Sequence, residues 1–103
     1  MAARDLYHYH VIEALKKEGW IITHDPYTFN MGGVNFRMDI GAEKILAAEK
    51  DGKKIAVEVK SFIKNSPVQD LHEAVGKYDL YSIALDMQEP DRIIYLAIRL
   101  VTP

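Results

Sequence analysis

The sequence predicts an α/β fold, a mixed β-sheet flanked by two main helices. Three observations carry this. Apolar residues recur at three-and-four spacing in one segment near the N-terminus and in another after Ser66. Short runs rich in Ile, Val and Phe separate the two helices, as strands do. The segment Arg92 to Val101 is apolar on both faces from Ile93 to Ile98, the pattern of a central, buried strand. The expected order is helix, strand, strand, hairpin, helix, strand.

Taken in turn, the first helix is opened by Asp5 as cap and closed by Gly19. Tyr7, Val11, Ala14, Leu15 and Glu18 share its mostly apolar face. Trp20 to His24 reads as a buried strand ended by Asp25-Pro26, because the residue before proline resists helical geometry. Tyr27 to Asn35, with Gly32-Gly33, reads as a loop, and Phe36 to Ile40 as a strand interrupted at Gly41. Asp51-Gly52 between Ile45–Lys50 and Lys53–Lys60 signals a tight type I′ hairpin. A two-residue turn there sets Glu49 opposite Lys54, Leu46 opposite Val57, Ile45 opposite Glu58 and, further along, Glu43 opposite Lys60. Ser66-Pro67-Val68-Gln69 is a capping-box pattern for the second helix. Val68, Leu71, Val75, Tyr78 and Leu85 form its expected apolar face, with Gly76 marking a close packing contact.

Composition bounds the function. The 103 residues, 49% hydrophobic and 27% charged, fit one globular domain spanning residues 1–103. There is no cysteine, which excludes disulfide frameworks and cysteine-zinc sites. The longest apolar run is too short to span a bilayer and the N-terminus lacks a secretory core, so a soluble cytoplasmic protein is expected. Net charge is -2, unlike a protein that coats nucleic acid, but the charge is uneven. Residues 44–64 hold six lysines against three acids, whereas residues 65–91 hold six acids against Lys77. One face suits a polyanion and another repels it.

The chemistry centres on Val57-Glu58-Val59-Lys60 with Asp39 upstream. Glu58 and Lys60, two apart on a strand, project from one face. A carboxylate pair, Asp39 and Glu58, suits a hard divalent cation such as Mg²⁺. Such an ion polarises a phosphoryl oxygen and acidifies bound water, and Lys60 can orient that water or offset charge developing on phosphorus. This arrangement is that of the PD-(D/E)xK nucleases, without the proline that often precedes the aspartate; an isolated acid-x-lysine triplet is more commonly a solvated strand face. Glu43 is the rival ligand to Asp39, its alternative being an ordinary ion pair with Lys60. Lys53, Lys54 and Lys64 are available for a nucleic-acid backbone. Glu13 reads as a solvated helix residue. His8 and His10, two apart on a helix, point apart, and His24 reads as a partly buried residue satisfied by its neighbours. His72 belongs to the surface, and Tyr78 and Tyr81 to packing. No Gly-rich phosphate loop and no nucleophile elbow is present.

Longer stretches resemble the XisH family, the fdxN-element excision controlling factors. They include Asp5, His8 and Val11 with Ala14-Leu15, then Gly19-Trp20, and Ile22 through Pro26. Asp39-Ile40-Gly41-Ala42-Glu43, Leu46 through Lys50, Lys54 through Phe62, Glu89 through Arg92 and Tyr95-Leu96-Ala97 extend the match over nearly the whole chain. The resemblance implies a restriction-endonuclease-like core, a cyanobacterial type of protein, and a role in site-specific DNA rearrangement. It implies DNA, a recombinase and a small excision-factor protein as partners. Nucleases of this kind often form homodimers, so the resemblance adds a homodimer to the expectations. Asp39, Glu58 and Lys60 are the catalytic residues it implies, with Asp39 and Glu58 as ligands to Mg²⁺. One departure stands out: similar proteins carry a Gly-Gln-Tyr segment in the second helix, where this chain has Gly76-Lys77-Tyr78. An ammonium in place of an amide bears on catalysis. The alternative function, from a different class, is a non-catalytic accessory that binds a recombinase or small partner protein.

Overall fold

A computed structural model describes residues 6–45, 52–62 and 67–100. The chain runs α1 (Leu6–Lys17), β1 (Ile21–His24), β2 (Tyr27–Met31), β3 (Val34–Met38), β4 (Ile40–Lys44), β5 (Lys53–Phe62), α2 (Pro67–Gln88) and β6 (Arg92–Leu100). The proposed caps Asp5 and Ser66, the strand residues 46–50 and Lys64 lie outside the described residues.

The main sheet has the order β1-β4-β5-β6. β4 is antiparallel to β1 and β5, and β6 is parallel to β5, so the sheet is mixed. Parallel neighbours need a crossover, and α2 provides it. Alternation on β5 gives the sheet two apolar faces. Ile55 and Val57 join Ile12, Ile40 and Ala42 on the α1 side. Ala56 joins Tyr27, Met38, Leu85 and Ile94 on the α2 side. Glu58 and Lys60 share the parity of Ala56, so they face α2.

Residues 27–38 form a hairpin rather than a loop, with Phe29 opposite Phe36 and Asn30 opposite Asn35. Gly32 and Gly33 both take positive φ, 59° and 80°. A two-residue turn of the primed type requires that conformation at both positions, and glycine adopts it without strain. The hairpin's inner face carries Tyr27, Phe29 and Phe36; Phe29 stacks on Phe36, which meets the edge of Tyr81 on α2.

The pairing of β5 differs from expectation. Its antiparallel partner is Ile40–Lys44, with Ile40 opposite Val57, Ala42 opposite Ile55 and Glu43 opposite Lys54. Ile40 and Ala42 are fully buried, and this register puts them on the same face as Ile55 and Val57. Burial of a matched apolar face outweighs the local preference of Asp51-Gly52 for a two-residue turn. Gly52 is still required: φ is +67°, and a Cβ there would lie 2.5 Å from the Lys44 carbonyl oxygen. The sheet's register irregularity lies in β1 between Ile22 and His24, across from Gly41. Gly41 is buried against His24 and Tyr27, where a Cβ would come within 3.0 Å of the tyrosine ring.

Several burial expectations are also corrected, beginning with β1, an edge strand on which Ile21 is 56% exposed and Ile22 alone is half-buried. β6 lies at the edge of the sheet, not its centre, and Ile93 and Tyr95 are 53% and 51% exposed. On α2 the buried face is Ala74, Ala84 and Leu85 with half-buried Tyr78 and Tyr81, while Leu71 and Val75 are exposed. Tyrosine and alanine provide this face, because the hairpin rings fill the space beneath the helix. Gly76 has open space around it and marks no packing contact. On α1 the buried residues are His8 and Ile12, and Ala14 is exposed.

Candidate functional site

The chain breaks between β3 and β4 at Asp39. Met38 before it is buried on the α2 side and Ile40 after it on the α1 side. Extending the Ile40–Val57 pairing by one residue sets Asp39 across from Glu58. The Val59 amide donates to Asp39 Oδ2 at 2.8 Å, so the carboxylate takes a strand bond where β4 has ended. That charge-assisted bond fixes the carboxylate beside Glu58.

Glu58 is the perturbed acid of this cluster. Burial raises its pKa above the ordinary carboxylate range, the Lys77 ammonium pulls it down, and the neighbouring Asp39 carboxylate raises it further; the net direction is upward. Lys77, from α2, forms an ion pair with Glu58 Oε2. The Glu58 side chain is 17% exposed and that of Lys77 42%, so the pair sits at the mouth of a cleft. The cleft has a volume of about 170 Å³ and its polar lining is Glu58, Lys60, Glu73, Lys77, Tyr78 and Tyr81. Met38, Ile94 and Leu96 contribute apolar lining.

The structure therefore brings Glu58 and Lys60 into one cleft, with Asp39 against Glu58. Glu43 is elsewhere. It faces Lys54 rather than Lys60, with a 3.8 Å ion pair, and lies four positions along the sheet from Asp39, about 13 Å at strand spacing. Lys54 is engaged by Glu43 and Glu89 at that far end. Glu13 is exposed and pairs with Lys16 on α1, which covers the other sheet face. His24 is exposed, with Nδ1 2.8 Å from Thr23 Oγ1. His8 is buried and its Nε2 lies 2.9 Å from Asp25 Oδ1. Glu73 is the cleft residue that sequence reasoning missed; its signal was the four-residue spacing to Lys77 on one helix face.

The donor chemistry suits a hard cation, since two carboxylates offer oxygen ligands. Among the described residues, however, no cluster of three or more His, Asp or Glu side chains forms a metal cage. A cation here would lean on Asp39, Glu58 and water, and would meet the Lys77 ammonium on Glu58.

The fold and the cleft together define a class: a small α/β protein whose mixed sheet presents an acid pair and Lys60 beneath a crossover helix that adds Lys77. Within that class the chain belongs to the XisH family, whose model, XisH protein, matches residues 1–102. A crystal structure of an XisH family protein from Nostoc punctiforme is 44% identical with a TM-score of 0.79, covering 91% of this chain and 69% of that one. A second, of an fdxN element excision controlling factor protein from Anabaena variabilis, is 49% identical with a TM-score of 0.77, covering 92% and 69%. No curated protein matches the sequence. Among the described residues no helix is long and apolar enough to cross a membrane.

Proposed function

We propose that this chain is a DNA-acting factor that controls excision of a DNA element, and that its cleft is a Mg²⁺-dependent phosphodiesterase centre on a restriction-endonuclease-like core. The observation that carries this reading is the break at Asp39, which sets one carboxylate directly across from Glu58 on the strand that also presents Lys60. The excision role is supported by the Anabaena variabilis relative, a factor that controls fdxN element excision.

In this reading Asp39 and Glu58 hold the ion, which when bound supplies Lewis acidity and an acidified water. Asp39 is oriented by the Val59 amide and needs no reorganisation to serve. Lys60 points into the same cleft and offsets negative charge developing on the scissile phosphate, the contribution expected of a positioned cation. The aromatic wall built by Tyr78 and Tyr81 narrows water access on the α2 side. Purified protein should cleave DNA only with a divalent ion, and Glu58→Ala should remove at least about a hundredfold of that rate. Cleavage that survives the substitution means contamination and sinks the reading.

A second reading is favoured by a specific observation. Leu80, Ile83 and Met87 form an exposed apolar stripe on the outer side of α2, at 57%, 64% and 75% exposure. Such a stripe suits a protein partner, and a non-catalytic accessory that docks a recombinase or a small excision factor would use it. No cleavage with any divalent ion, together with partner binding that Ile83→Glu abolishes, would establish this alternative.

A further inference from the structure

The ion pair on Glu58 bears on which cation the cleft holds. Lys77 reaches across from α2 to Glu58 Oε2, one of the oxygens assigned above to the metal. Its Nζ also lies 5.1 Å from the centre of the Tyr81 ring, so a second attraction keeps the ammonium over the cleft. Glu73 lines the same cleft one turn earlier on the helix, offering an anion to which Lys77 could retreat. Lys60 and Lys77 balance Asp39 and Glu58, and Glu73 at the cleft wall leaves the group one negative charge in all. A divalent ion added beside Lys77 makes that half-buried space net positive and sets two cations against each other, which is costly. Nor does a third protein acid compensate, since no cluster of three or more such ligands forms among the described residues.

We propose that Lys77 is a tethered cation that competes with the divalent ion for Glu58 and thereby sets the metal affinity of the site. This rests on the metal-binding reading above and adds the residue that governs it. The ammonium is covalently attached and sheds a weaker hydration shell on pairing than Mg²⁺, which dehydrates reluctantly. The wild-type site therefore favours its own lysine, and metal enters as Lys77 swings away.

The test is Mn²⁺ binding by calorimetry to the full chain, without DNA, for wild type, Lys77→Gln, Lys77→Met and Lys77→Arg, each checked for fold by circular dichroism. Removing the charge should tighten Mn²⁺ binding at least about tenfold in both Lys77→Gln and Lys77→Met. Lys77→Arg, which keeps the charge, should bind as weakly as wild type. Adding Glu58→Gln to Lys77→Gln should abolish the gain. If wild type and the neutral variants bind Mn²⁺ equally while folded, the competition is absent and this inference fails, although the metal site stands. Should none of the folded proteins bind Mn²⁺, the metal reading itself falls and takes the inference with it.

Discussion

Two charge clusters lie on the same face of β5, four to six residues apart, and they behave in opposite ways. At the Lys54 end, Glu89 accepts from Arg92 Nε at 2.9 Å and from the Tyr27 hydroxyl, and pairs with Lys54 at 3.7 Å. Arg92 also donates to the Ile55 carbonyl at 2.8 Å and lies over the Tyr27 ring. Burial pushes the Glu89 carboxyl up, but the hydrogen bonds from Arg92 and Tyr27 and the charges of Arg92 and Lys54 outweigh it, and the net shift is downward. The same contacts hold the Tyr27 phenol at about 12: burial first, then its bond to Glu89. At the Glu58 end the acid is more buried, faces a second carboxylate, and shifts upward. The first cluster joins the hairpin, the end of α2 and the start of β6, and every charge in it has a partner, so it acts as a structural latch. The second keeps two like charges together beside a cleft, which stability alone would not select.

The sharpest way to break the contrast is at its buried cation. Arg92 is 6% exposed, and Arg92→Leu takes two hydrogen bonds from Glu89, which keeps the Tyr27 hydroxyl and Lys54, and one from the Ile55 carbonyl. A loss of about 3 kcal/mol in denaturant unfolding is expected, as for one partner removed from a buried pair. Lys60→Ala, in the cleft, should cost less than about 0.5 kcal/mol.

A smaller effect separates the two acids by pH. Glu89 binds its proton less tightly when folded, so it contributes stability above the ordinary carboxylate range, lost as pH falls through its lowered pKa. Glu58 binds its proton more tightly when folded, so its contribution is present below the ordinary range and lost as pH rises through its raised pKa. Carboxyl chemical shifts followed against pH should place the Glu58 midpoint above that of Glu89, and the reverse order would remove the contrast. At neutral pH, Glu89→Gln should destabilise by about 1–2 kcal/mol while Glu58→Gln stays near neutral.

The least consequence is expected at Glu43. Its 3.8 Å pair with Lys54 is part exposed, and Glu43→Gln should change stability by under about 0.5 kcal/mol and leave metal-dependent cleavage intact. Loss of cleavage in that variant would reopen Glu43 as a ligand in place of Asp39.

Much of this was legible before any coordinates. Both helices, the strand bearing Glu58 and Lys60, and the parity that aims those two the same way follow from local periodicity. The Gly-Gly pair read as part of a loop, yet Gly32-Gly33 makes the two-residue turn between β2 and β3. β4 and β5 also pair antiparallel, but in the register that seals Ile40 and Ala42 against Val57 and Ile55 rather than the one a two-residue Asp-Gly turn would set. The exposure of Ile93 and Tyr95 was hidden for a related reason, since an apolar strand reads alike at the edge of a sheet and at its centre.

The sequence by itself determined the alternation that places Glu58 and Lys60 together and the helix carrying Lys77, because these depend on spacing along one chain; the resemblance to the XisH family was carried by whole matching stretches instead. Only the tertiary structure decided that Asp39 rather than Glu43 stands across from Glu58. Strand register is a contest between whole buried faces: Ile40 and Ala42 pair where they can be sealed from water, and the acids are carried to wherever that leaves them.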